Sequence, residues 1–192
     1  MALDRNREAT EFSHGIVEIC RQAPVLPAPR VAIRPMRPTE MEETAILIGR
    51  AMNLEEGEQA LRTFRFHFAC KSQGLDDGRS YDVWCDGGSL MGIVGLHHYV
   101  WGPPENVWLA WFAVDPAAQQ RGIGRCLLDF VEKKARIQGY MKIFVETYST
   151  PEFARARDFY RAQGFSVSGG VKEYLTGGGD MVVFVKELSH AL

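Results

Sequence analysis

The sequence predicts an α/β fold (an α+β mixed sheet) in which an antiparallel meander is joined to a parallel strand–helix–strand crossover. Three strand-like segments between residues 79 and 114 follow one another through short turns, and strands joined in this way pair antiparallel. From residue 107 onward the pattern changes to strand, helix and strand, which implies one right-handed parallel crossover. The 192 residues, of which 46% are hydrophobic and 24% charged, suit one globular domain.

Residues 1–30 are expected to form an arm and a proline-rich linker that precede this domain. Apolar residues at helical spacing indicate one apolar helix face in the arm, and these are Ala9, Phe12, Ile16 and Ile19. Three prolines between residues 23 and 30 then favour an extended chain. The domain is therefore expected to span residues 31–192, and a homodimer is one arrangement that would bury the apolar face of the arm.

The first half of the domain is expected to hold a strand, two helices and the meander. Thr39 and Glu42 have the spacing of a capping box, which predicts a helix reaching Arg50. The sequence Asp86-Gly87-Gly88-Ser89 is typical of a hairpin turn. The predicted helices span residues 39–50 and 58–71, and the predicted strands span residues 31–34, 79–85, 90–100 and 107–114.

The second half is expected to alternate helices and strands. Ser149 or Thr150 is expected to cap a helix that has Pro151 in its first turn and ends at Gly164. The predicted helices span residues 122–138 and 151–163, and the predicted strands span residues 141–148, 165–171 and 181–188.

Charge and composition argue against several classes of function. A formal charge of −2 is unlike that of a protein that follows nucleic-acid phosphates, so no nucleic-acid partner is expected. No apolar run approaches the roughly 18 residues that span a bilayer, and the charged N-terminus does not resemble a secretory signal. Four scattered cysteines indicate reduced thiols and a cytoplasmic location, and no membrane partner is expected. Five histidines without ligand spacing predict no metal site.

The segment from Gln119 to Arg125 carries the strongest chemical signal. It leads from a strand into a helix, whose first amides lack intrahelical acceptors and lie at the positive end of the helix dipole. Gly122 and Gly124 would let an anion such as pyrophosphate approach this backbone, and two arginines add positive charge. An ordinary tight helix entry and a dinucleotide site with Glu146 as its acidic residue are alternatives, whereas a P-loop is excluded because no Gly-Lys-Ser/Thr tripeptide occurs.

Two motifs in this half resemble those of the GNAT acyltransferase superfamily. Gln119-x-x-Gly122-x-Gly124 after an Ala-Val-Asp-Pro strand end is similar to its acetyl-CoA-binding motif, and residues 159–165, Phe-Tyr-Arg-Ala-Gln-Gly-Phe, are similar to the end of its next motif. The resemblance implies that pantetheine pairs with the backbone of Phe112, Ala113 and Val114. It implies that the pyrophosphate of acetyl-CoA is held by the amides of Gln120, Arg121, Gly122, Ile123, Gly124 and Arg125. Phe153 stands where many members carry a cofactor-contacting asparagine.

The resemblance further implies an N-acetyltransferase that moves an acetyl group directly from acetyl-CoA to a primary amine of a small molecule or peptide. Tyr160 is the candidate acid for the departing thiolate, because a phenol keeps its proton at pH 7. The base that takes the amine proton is Glu146, His97 or His98, and the two adjacent histidines must face opposite sides of a strand. A non-catalytic acyl-CoA-binding module and a dinucleotide-dependent oxidoreductase are the alternative functions.

Overall fold

The computed structural model describes residues 31–188. The predicted arm at residues 1–30, its proline-rich linker and any dimer contact made by the arm lie outside the described residues. Four helices are described, α1 to α4, at Met41–Ala51, Leu54–Ser72, Ile123–Ile137 and Ala154–Ala162. Eight strands are described, β1 to β8, at Val31–Pro35, Arg79–Asp86, Ser89–His97, Asn106–Leu109, Ala113–Val114, Lys142–Tyr148, Ser166–Val171 and Met181–Glu187.

The strands form one mixed sheet in the order β1-β2-β3-β4-β6-β8-β7, with β5 also paired to β3. Pairing is antiparallel from β1 through β4 and parallel between β4 and β6, so the predicted meander and crossover are confirmed. The last strand, β8, lies between β6 and β7 and is antiparallel to both.

Helices cover both faces of the sheet and bury a core on each. On one face, Leu127 and Val131 of α3 pack with Tyr160 of α4 against the sheet. On the other face, Ile48 of α1 and Phe64 of α2 pack in a second buried cluster. No helix between residues 31 and 188 is long and apolar enough to cross a membrane.

The predicted cap of α1 was wrong, and the predicted cap of the helix after β6 was right in position but makes no side-chain hydrogen bond. Glu40, rather than a Thr39–Glu42 pair, accepts a hydrogen bond from the Arg37 amide at 2.7 Å, in a short 3-10 turn that precedes α1. The Ser149 hydroxyl accepts from the Asp180 amide at 2.9 Å and so is used to hold the β7–β8 loop. Thr150 holds the N-cap position of the 3-10 turn that leads into α4, with Pro151 directly after it.

The predicted third strand of the meander is interrupted. Leu109 pairs with Leu96, and pairing resumes at Ala113 opposite Ile93. Between these two pairs, the segment that joins β4 to β5 has one residue more than the facing part of β3. Such an extra residue is a β-bulge, which bends the bulged strand. Because β6 pairs with β4 only as far as Trp108 opposite Phe144, the sheet opens between β5 and β6.

Candidate active site

A cleft of about 240 Å³ lies where β5 and β6 separate. Its walls come from distant parts of the chain: α2, the ends of β2 and β3, the bulged segment before β5, the end of β6, and the α4 region. Open sheets with a parallel crossover commonly bind ligands beyond the carboxyl ends of such strands.

The N-terminus of α3 lies beside this cleft and carries no side-chain cap. The predicted motif places Gly122 at the N-cap with φ +82°, and Gln120 before it has φ +61°. Asp115, which opens the loop, accepts instead from the Ala117 amide at 2.9 Å and pairs with Arg50. The first amides of α3 are therefore left for a ligand, which is the geometry expected of an anion site.

The other motif side chains differ in what they can contribute. Arg121 and Arg125 are exposed, so both can reach an anion, although Arg125 lies 4.0 Å from Asp129. Ile123 is buried in the core, which leaves its amide as the only group that can face a ligand. A Cβ at Gly124 would meet the rings of Phe112 and Phe159 at 3.7 Å, which is ordinary contact.

Strand β5 has one edge paired and one edge facing the opening. Ala113 and Val114 pair with Ile93 and Gly92 of β3, and the edge toward β6 has no strand neighbour within residues 31–188. The Val114 carbonyl accepts from Gln119 Nε2 at 3.1 Å. The remaining polar groups of this edge can pair with an extended ligand, as the sequence predicts for pantetheine.

Tyr160 of α4 lies at the base of the cleft. Its ring is packed against Phe112, Phe165 and Phe184, and the residue is only 6% exposed. Burial raises the pKa of Tyr160 above its ordinary value. The phenol therefore keeps its proton at neutral pH, as a general acid must.

Two carboxylates reach the cleft on the side of α2. Glu146 of β6 is exposed and its Oε1 accepts from the Tyr148 hydroxyl at 3.3 Å. Glu56 in the first turn of α2 is half-buried, and burial, together with the charges of Glu55 and Glu146, raises its pKa.

The two histidines separate as the strand geometry requires. His97 lines the cleft, and burial together with the charge of Arg79 lowers its pKa to about 4, so its imidazole is neutral at pH 7. His98 faces away from the cleft: its Nδ1 lies 3.2 Å from the Asn106 carbonyl and its ring lies beside Tyr140. Of the predicted bases, Glu146 and His97 therefore reach the cleft.

Sequence reasoning missed Glu56, Arg79, Thr147 and Tyr148, all of which line the cleft. The signal for Glu56 was Asn53, whose side chain accepts from the Glu56 amide at 2.9 Å and caps α2, so that the helix begins at Leu54, four residues before the predicted start. Of the aromatic residues in α2 and the meander, Tyr99 and Trp111 line the cleft, whereas Phe64 is core and Trp101 is solvent-exposed. No group of three or more potential metal ligands occurs among the described residues.

Comparisons with known proteins agree with this architecture. Residues 45–165 match the family model described as acetyltransferase (GNAT) family. The peptidyl-lysine N-acetyltransferase YiaC of Escherichia coli is 32% identical over 85 residues, which is 44% of this chain and 49% of that protein, so the match spans about half the length of this curated relative.

Solved structures of low sequence identity share the fold. A GNAT-family protein from Desulfovibrio desulfuricans superposes with a TM-score of 0.74 at 23% identity, over 83% of this chain and 99% of its own. The protein yncA of Salmonella typhimurium, solved with acetyl-CoA, has a TM-score of 0.64 at 17% identity, over 85% of this chain and 97% of its own. Because the family model matches more than half of this chain, the chain belongs to the GNAT acetyltransferase family.

Proposed function

We propose that this protein is an acetyl-CoA-dependent N-acetyltransferase that transfers the acetyl group directly to a primary amine of a small molecule or peptide. The observation that carries the proposal is the cleft between β5 and β6, which is lined by the buried Tyr160 and adjoins, at Phe112, an uncapped helix N-terminus and an unpaired strand edge. The match to a peptidyl-lysine N-acetyltransferase supports a peptide amine as one acceptor class.

Each part of the cleft has a task in this proposal. The amides from Gln120 to Arg125 hold the pyrophosphate of acetyl-CoA, and the edge formed by Phe112, Ala113 and Val114 pairs with pantetheine. These contacts orient the thioester, which contributes more to the rate than any single group. Tyr160 protonates the departing thiolate, and a carboxylate of the cleft, for which the sequence indicates Glu146, takes a proton from the amine.

Phe153 is compatible with this assignment although it replaces an amide side chain. Its ring lines the cleft and packs edge-to-face on Tyr148 at 5.2 Å, so it supports the wall of the cleft through packing. The phosphate contacts come from the backbone and do not depend on this side chain.

A cytoplasmic location is part of the proposal, because Cys70, Cys85 and Cys126 are free thiols.

Two experiments test the proposal. Ligand binding raises apparent stability by mass action, so acetyl-CoA, but not NAD, is expected to raise the melting temperature. Thiol release from acetyl-CoA over a panel of primary amines is then expected to identify an acceptor. Binding without thiol release for any amine would favour the non-catalytic acyl-CoA-binding module, and stabilisation by NAD would favour the oxidoreductase.

A further inference from the structure

The cleft carries two carboxylates that lack cationic partners. Glu56 comes from the first turn of α2 and Glu146 from the end of β6, and neither forms an ion pair with any other residue between 31 and 188. They are close enough that the charge of Glu146 acts on Glu56. Two like charges that share a cleft destabilise each other unless a cation lies between them.

The positive charge in the cleft is already compensated. Arg79 lines the same cleft, but its guanidinium lies 3.2 Å from Asp77 Oδ2, while Asp77 Oδ1 lies 2.8 Å from His67 Nδ1. His97 beside it is neutral at pH 7. The uncompensated charge of the cleft is therefore negative.

Other groups in the cleft are suited to a cationic ligand or still lack a partner. The rings of Tyr99, Trp111 and Tyr148 line it, and aromatic faces attract ammonium groups. Thr147, which is only 4% exposed, lines the cleft as well. Its hydroxyl oxygen is buried and has no hydrogen-bond partner among the described residues. A buried polar atom of this kind is expected to be satisfied when a ligand occupies the cleft.

We infer that Glu56 and Glu146 together bind the acceptor as an ammonium cation, and that Glu56, rather than Glu146, is the group that takes its proton. This inference rests on the proposed function. Glu56 is the more enclosed of the two, and its carboxylate accepts no hydrogen bond from residues 31–188, whereas one oxygen of Glu146 already accepts from Tyr148. Burial moves the pKa of Glu56 toward the range in which a carboxylate is an effective base at neutral pH.

The proton and bond changes balance as follows. Glu56 takes one proton from the ammonium group, and the freed amine attacks the thioester carbonyl carbon, so that a C–N bond forms as the C–S bond breaks. Tyr160 gives its proton to the sulfur and regains one from the nitrogen, which becomes the amide. Glu56 then releases its proton to water, and the net reaction yields amide, thiol and one proton.

A binding experiment tests the cation site without requiring catalysis. Choline and its neutral isostere 3,3-dimethylbutanol are titrated against the CoA-saturated protein by calorimetry. The wild type and Glu58→Gln, which removes another exposed carboxylate from α2, are expected to bind choline at least about tenfold more tightly than the alcohol, because the two carboxylates attract the cation and not its neutral isostere. Glu56→Gln and Glu146→Gln are each expected to lose that preference, and equal affinities for both probes in the wild type would overturn the inference.

Kinetics with an amine found by thiol release assign the proton acceptor. Glu56→Gln is expected to lower kcat by about 100-fold with little change in KM, as for loss of a general base. Glu146→Gln is expected mainly to raise KM, and Glu56→Asp is expected to recover part of the activity because it restores a carboxylate at this position. A kcat for Glu56→Gln equal to that of Glu58→Gln would refute its role. If no amine releases thiol, the proposed function fails, while choline binding still decides the cation site.

Discussion

Substitution of Gly122 by alanine tests whether the backbone at the start of α3 binds the nucleotide. Gly122 has φ +82°, and an added Cβ would meet nothing within 4 Å, so the cost is conformational rather than steric. An L-residue in the left-handed region loses about 1–2 kcal/mol, and the alanine chain regains part of this by having less freedom when unfolded. We expect the free energy of unfolding to fall by about 1 kcal/mol, which lowers Tm by roughly 2–4 °C for a chain of this size.

Gly139 supplies a matched control at the other end of the same helix. It has φ +86°, and a Cβ there would likewise meet nothing within 4 Å. Gly139→Ala is therefore expected to cost the same stability as Gly122→Ala. Only Gly122 adjoins the proposed pyrophosphate site, so only its substitution should disturb amides that bind the ligand.

The expected effect on binding follows from the hydrogen bonds at risk. A hydrogen bond to a charged group contributes about 1.5–3 kcal/mol, so loss of one phosphate contact raises Kd by about tenfold to a hundredfold. Calorimetric titration with coenzyme A measures this for the wild type and both variants. If Gly122→Ala and Gly139→Ala bind coenzyme A with the same Kd, the uncapped end of α3 is not the phosphate site and the assignment of residues 120–125 is wrong.

Three further substitutions test the cleft. Tyr160→Phe is expected to lower kcat while leaving the Kd for coenzyme A unchanged, with Tyr140→Phe as a control far from the reacting groups; unchanged kcat would remove the acid role. Thr147→Val is expected to leave the free protein as stable or more so in urea unfolding, because it removes an unsatisfied buried hydroxyl; a clear loss of stability would show that this hydroxyl is satisfied in the folded protein. The pKa of His97 is about 4 in the folded protein and near 6.5 in the unfolded chain. Because the unfolded chain binds more protons between these values, the free energy of unfolding falls as the pH falls from 6.5 to 4. His97→Gln is therefore expected to lose less stability than the wild type between pH 7 and pH 5 in urea unfolding, and an equal loss would contradict the pKa shift.

The parts of the site that the sequence predicted are those encoded by neighbouring residues. Gly122 at a helix start and Tyr160 before a helix stop each lie within one short motif, and local backbone geometry follows from such motifs. The core side of α3 was predictable for the same reason, since Ile123, Leu127 and Val131 recur at helical spacing and all three are buried.

The α2 side of the cleft was not predictable in this way, because its groups come from separate elements. Glu56 belongs to α2, Arg79 to β2 and Tyr148 to β6, and only the packed fold brings them together. The predicted start of α2 at residue 58 also left Glu56 outside the helix, because the Asn53 cap was not recognised. An N-cap asparagine followed by two glutamates in the first turn was a usable signal.

The opening of the sheet coincides with one extra residue between β4 and β5, opposite β3. Residues 107–114 read as one continuous apolar strand and contain neither glycine nor proline, so nothing in them predicts the bulge. The glycine is in β3, where the Gly95 carbonyl accepts from the Ala110 amide at 2.8 Å, inside the bulged interval. A Cβ at Gly95 would lie 2.7 Å from the Tyr81 ring and 2.8 Å from the Ser80 carbonyl, so only glycine lets β2 and β3 approach here. The need for glycine at position 95 thus comes from β2, whereas the extra residue between β4 and β5 has no signal of its own in the sequence.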